Sequence, residues 1–139
     1  MSIDLHIFLS DSRVPDRATW QKAIEDLGFA TILDANFDVR HDTGFRPATY
    51  EGQETGFEFT LGAAADVLPT YPHVAARVGA RDKCATFIWG GELTEMCAAL
   101  SAAAALAKLA DGIYFYPDDD IIYTADEAVE AVRRDLSSI

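Results

Sequence analysis

Residues 92–110 read ELTEMCAALSAAAALAKLA, and this stretch decides the fold class. Leu93, Met96, Cys97, Leu100, Ala103, Ala104 and Ala107 recur at helical spacing. Glu92 and Glu95 stand at the start and Lys108 near the end, as the helix dipole favours, and Gly112 is expected to stop the helix. A side made largely of alanine lets a helix lie close against a sheet.

The segments on either side supply that sheet. Downstream, 113–116 and 121–123 are two short apolar stretches joined by Pro117-Asp118-Asp119-Asp120, a hairpin with a polar turn. Thr124 and Glu127 then form a Thr-x-x-Glu capping box for a final helix, with Ala128, Val129, Val132 and Leu136 as its apolar stripe. Upstream, 83–89 is a strand by its β-branched and aromatic content, broken by Gly90-Gly91.

The N-terminal half follows the same alternating logic. Ile3, Leu5, Ile7 and Leu9 point one way and Asp4, His6 and Phe8 the other, so this strand is expected to have one buried face. Pro15 and Asp16 open a helix whose inner face is Trp20, Ala23, Ile24 and Leu27, closed by Gly28. Residues 30–34 read as a strand and 35–44 as a polar, acidic loop. Residues 45–51 read as a strand placed at an edge by Pro47, and 52–56 as a turn. Phe57, Phe59 and Leu61 alternate with Glu58 and Thr60 in a further strand. Residues 63–78 carry no clear period. A short helical turn at 64–68 is expected, stopped by Pro69 and Pro72.

These elements predict a single α+β domain over residues 1–139. The expected architecture is a two-layer α/β sandwich with a mainly antiparallel sheet and about three helices on one face. Its element order is ferredoxin-like, with a C-terminal hairpin and helix added.

Composition bounds the function. The chain carries 23 acids against 11 bases, a formal charge of −12. Such a surface repels phosphate backbones and anionic lipid, which argues against nucleic acid and membrane as partners. The longest uncharged stretch near the C-terminal half is too short to span a bilayer. Residues 1–10 contain Asp4 and no basic n-region, so a secretory leader is not expected. Two cysteines without a Cys-x-x-Cys spacing read as buried free thiols in a reducing, cytoplasmic setting. Arg outnumbers Lys 8 to 3 and Ala is abundant, a balance expected of a GC-rich bacterial genome.

No stretch carries a catalytic, metal or nucleotide motif, and no cofactor is expected. Four weaker candidates remain. Asp38, His41 and Asp42 are oxygen and imidazole donors for a divalent cation, without a known loop spacing. Asp118, Asp119 and Asp120 are a candidate protein-binding face. Tyr50, Glu58, Trp89 and Tyr114 are candidates for an aromatic, acid-floored groove for an organic cation. Alternation separates Glu58 from Phe57 and Phe59, which counts against one pocket built from all the aromatics. His6 and the nearby Ser10 and Ser12 lack a nucleophile-elbow context.

The charge, with 10 acids against 3 bases from Gly91 onward, favours a non-enzymatic binding protein that engages a basic partner protein, in the manner of an immunity protein or inhibitor. A pocket for an organic cation is the alternative, and an enzyme using the Asp38/His41/Asp42 loop is a weaker third. A homodimer is compatible with the expected exposed edge.

Overall fold

A computed structural model describes residues 2–139. The elements are β1 (Ile3–Leu9), α1 (Arg17–Asp26), β2 (Thr31–Leu33), β3 (Gly44–Tyr50), β4 (Gln53–Ala63), α2 (Ala64–Val67), α3 (Ala75–Val78), β5 (Lys83–Trp89), α4 (Leu93–Ala110), β6 (Ile113–Tyr116), β7 (Ile121–Tyr123) and α5 (Ala125–Ser137). The seven strands form one antiparallel sheet in the order β2-β3-β4-β5-β1-β6-β7. The fold is therefore α+β, with five helices where about three were expected. The two extra ones are the single turns α2 and α3.

Helix α4 organises the core. Twelve of its residues are buried, among them Ala102 to Ala107 without a break. It contacts α1, α5 and most of the sheet. Among the described residues it is the one helix long and apolar enough to cross a membrane, and most of it is buried inside this fold. With methyl side chains along this surface, neighbouring groups reach its backbone. Trp20 Nε1 donates to the Ala102 carbonyl at 2.9 Å. Trp20 also packs against Phe37, Phe59 and Phe87. The helix ends on Asp111, which adopts the left-handed conformation at φ 52°. Gly112 was expected in that role, but its need is a different one. A Cβ there would lie 2.9 Å from the Phe8 carbonyl oxygen, so the glycine permits the close pass of the chain over β1.

α1 is capped by Asp16, whose side chain accepts from Thr19 N–H, and Pro15 stands just before it. α5 carries both halves of its capping box. β3 and β4 are joined at Glu51 and Gly52, both with positive φ, the signature of a tight two-residue hairpin turn. The turn is thus shorter than 52–56, and β4 starts at Gln53.

Two expectations about the sheet are corrected. Pro47 does not mark an edge: β3 lies between β2 and β4. The Pro47 carbonyl accepts from Asp34 N–H, so its missing donor faces the flank where β2 has already ended. The Asp34 carbonyl, which a donor at position 47 would have met, accepts from Arg17 Nε instead. Nor is β1 buried on one face alone. Phe8 is fully buried on the second face, with Cys84, Ile113 and Phe115, beneath Val74 and Val78 of the 64–78 segment. That segment is a strap over one part of the sheet face opposite the long helices.

The edge strand β2 is closed by side chains of α1. Gln21, itself buried, donates from Nε2 to the Thr31 carbonyl at 3.1 Å and accepts from Leu33 N–H at 2.7 Å through Oε1. Its amide takes the place of a neighbouring strand's peptide group. Arg17 adds bonds to the carbonyls of Leu33 and Asp34 at 2.7 and 3.1 Å. An edge so occupied does not offer its main chain to another strand. The substitution Gln21→Ala is expected to lower stability by about 1–3 kcal/mol in urea unfolding, because it orphans two buried backbone groups. It should also raise self-association on size exclusion. An unchanged midpoint and elution would contradict this role.

Candidate functional site

Four places hold chemistry-bearing side chains. The first is an aromatic cavity between the sheet and the α4–α5 pair, of about 210 Å³. β6 sends Tyr114 and Tyr116 into it by two-residue alternation, and β7 adds Tyr123, which pairs with Tyr114 across the hairpin. Trp89, from the end of β5, lies nearly parallel to Tyr116 at 20°, with ring centroids 6.4 Å apart. Tyr114 and Tyr123 are 5.7 Å apart. Asp119 and Asp135 complete the wall and are its charged residues. Burial, followed by the Asp135 carboxylate, pushes the Tyr114 hydroxyl far above the ordinary tyrosine value.

The structure thus joins two of the four groove candidates, Trp89 and Tyr114, and separates the others. Glu58 pairs with Phe45 and Ile88 on the opposite sheet face, where Asp4 and His6 also lie. Tyr50 lies beside Cys97 and Leu93 in another hollow. Burial, with Cys97 next, pushes its hydroxyl up to about 12. The carboxylates of the aromatic cavity come instead from the hairpin and α5. Strand alternation already places Tyr116 and Tyr123 with Tyr114. Nothing local in the sequence places Asp135 there.

The second place is a broad concavity of about 630 Å³ beside β2, β3, β4 and the start of α4. Ile32 and Phe45 line it and are 54% and 52% exposed, unusual for side chains of their size in this fold. Every charged residue lining it is acidic: Asp34, Glu54, Glu92 and Glu95. Glu95 is fixed by accepting from Gly90 N–H at 3.1 Å. Thr55 also borders the concavity, and its hydroxyl is buried without a partner.

The third is a polar cluster under the strap. His6, 5% exposed, bonds through Nδ1 to Thr86 Oγ1 at 2.8 Å and through Nε2 to Asp4 Oδ2 at 3.2 Å. Cys84 Sγ is 3.6 Å from the same Nδ1. Tyr71 and Phe115 pack on the imidazole. The connectivity resembles that of a nucleophile, base and orienting acid. The surroundings do not suit that chemistry. Cys84 is 1% exposed, and burial pushes its thiol up to about 12. β5 is paired on both sides along Thr86 and Cys84, so no free pair of N–H groups stands by to hold an oxyanion.

The remaining candidates are dispersed. In the 35–44 loop, His41 Nδ1 meets Asp38 Oδ2 at 3.0 Å, whereas Asp42 accepts from Asp38 N–H at 2.8 Å and pairs with Arg46 at 3.1 Å. Among the described residues no three His, Cys, Asp or Glu side chains converge as a metal-ion site. The hairpin acids diverge. Asp120 takes the left-handed position and binds His73 Nε2 at 2.7 Å, tying the strap to the hairpin. Asp119 lines the aromatic cavity, and Asp118 is exposed.

Comparison with protein-family models, characterised proteins and solved structures finds no match for this chain.

The His6 cluster has a measurable consequence. Burial lowers the His6 pKa below the ordinary value near 6.5, and Asp4 offsets only part of that effect. The folded state therefore favours the neutral ring. Its contribution is complete above pH 6.5 and is lost as pH falls from there towards the folded pKa. NMR titration of the imidazole should place His6 below 6.5. His6→Gln should flatten the fall in urea midpoint on acidification. A His6 titrating at or above 6.5 would contradict this.

Proposed function

We propose that this chain is a non-enzymatic binding protein that engages a basic partner protein through the concavity beside β2, β3, β4 and α4. The observation that carries the reading is the pairing of exposed Ile32 and Phe45 with a charged lining that is entirely acidic. Exposed apolar side chains bordered by charge of one sign suit a partner surface with apolar anchors and basic surroundings. The unpartnered Thr55 hydroxyl at the same place is a further group for a partner to satisfy. The net charge of −12 extends the attraction outward, favouring fast association with such a partner.

This surface is preferred to the hairpin acids Asp118, Asp119 and Asp120, because two of those face other neighbours. The reading includes action in a reducing, cytoplasmic setting, supported by two buried, unpaired cysteines. The scaffold is read as ferredoxin-like: β6, β1, β5 and β4 lie side by side with α1 and α4 on one face. On that reading β2–β3 and β7–α5 are additions, and the concavity is built largely by an addition. Fold likeness by itself assigns no activity.

The test is capture from the native host by wild type and by a Glu54→Lys/Glu92→Lys double variant. The wild type should retain a basic protein at low ionic strength, lose much of it as salt rises, and lose it in the variant. Ile32→Ser/Phe45→Ser should weaken capture without changing its salt dependence. Retention of the same partner by the charge-reversed variant, or no basic partner at all, would overturn the proposal.

A further inference from the structure

We propose that the cavity walled by Trp89, Tyr114, Tyr116 and Tyr123, with Asp119 and Asp135 at its rim, is a second binding site, specific for a small organic cation of the quaternary or alkylated ammonium class. It shares no lining residue with the concavity of the proposed partner site. The two readings therefore stand or fall separately.

Four features carry the inference. The cavity holds about 210 Å³. That is below the roughly 300–1,000 Å³ of pockets for drug-sized ligands, so the occupant is a headgroup or a single side-chain terminus. Four of its ten lining residues are aromatic, Trp89, Tyr114, Tyr116 and Tyr123, and the faces of indole and phenol attract cations through the ring quadrupole. Its charged lining consists of Asp119 and Asp135, and among the described residues neither forms an ion pair. The Asp135 charge is felt inside, since it helps hold the Tyr114 hydroxyl protonated.

Charge decides the ligand class. An anion would meet two carboxylates with no base to balance them. A neutral apolar ligand would fill the space but would desolvate those carboxylates without compensation. A compact cation with an apolar shell satisfies both the rings and the acids. A strongly hydrated inorganic cation would gain little from the rings. A packing fault between helix and sheet would be apolar throughout and would stay dry. This cavity instead has Tyr116 and Tyr123 partly exposed beside two acids.

The test uses the full chain and defined probes: tetramethylammonium, choline, and the neutral choline isostere 3,3-dimethylbutan-1-ol. Binding is followed by calorimetry and by tryptophan fluorescence, in which Trp89 is the responsive indole because Trp20 is fully buried and hydrogen-bonded to Ala102. Both cations should bind saturably, and the neutral isostere roughly tenfold more weakly or worse. Asp135→Asn should weaken the cations several-fold while sparing the neutral probe. Tyr116→Leu should weaken them similarly with little change in thermal midpoint, since Tyr116 is only partly buried. Equal binding of the neutral isostere would overturn the proposal, as would cation binding indifferent to Asp135→Asn or the absence of saturable cation binding.

Discussion

The contact between the alanine surface of α4 and its surroundings governs the rest of the molecule. From Ala102 to Ala107 no side chain is larger than leucine, and all six residues are buried. Small side chains let the sheet, α1 and α5 approach one helix at once, and they bring backbone carbonyls within reach. Trp20 uses one such carbonyl. Ser101 uses others, returning its hydroxyl to Cys97 while meeting Thr31 of the edge strand at 2.6 Å. Thr31 and Leu33 are in turn held by Gln21. The edge of the sheet is thus anchored to its central helix by a short buried polar chain. Such a chain is costly to leave half-made and so specifies one arrangement.

Placing all three long helices on one face leaves the other to be finished by lesser means. The strap of α2 and α3 covers the part around β1, β5 and β6, where Phe8, Cys84 and Phe115 form a second small core. It does not reach β3, where Phe45 stays half exposed. The apolar side chains available for a partner are therefore those the strap leaves uncovered. The aromatic cavity has a related origin. α5 runs beside α4 over the β6–β7 hairpin, and the gap left between the helices and the sheet end is lined by tyrosines rather than filled by them.

Much of this was legible in the sequence, where period and capping chemistry act locally. α4, the Thr124–Glu127 capping box, the hairpin acids between 116 and 121, and strand β5 follow from such signals. What escaped depends on contacts far apart in the chain. Pro47 argues against a central strand only where its nitrogen would face a continuing partner strand, and β2 ends beside it. The burial of Phe8 and His6 comes from a strap whose own sequence has no period, being built of single turns and two prolines. For the candidate sites, the groove expected from Tyr50, Glu58, Trp89 and Tyr114 is split: Trp89 and Tyr114 share a cavity, whereas Glu58 lies on the other sheet face and Tyr50 in another hollow. The carboxylate that completes that cavity, Asp135, arrives from a helix whose docking angle no local pattern encodes. The acid-lined concavity was hidden for the same reason: Asp34 follows β2, Glu54 lies in β4 and Glu92 precedes α4.

The claim on which the functional account rests is that the face left open beside β3 is where a basic partner sits. Amide hydrogen exchange of the free chain and of its complex with the captured partner tests this most directly. The account predicts slowed exchange confined to residues 32–34, 44–56 and 90–95 at the start of α4, with the β6–β7 hairpin and α5 unchanged. Protection centred on residues 117–123, with β3 exchanging as in the free chain, would contradict it.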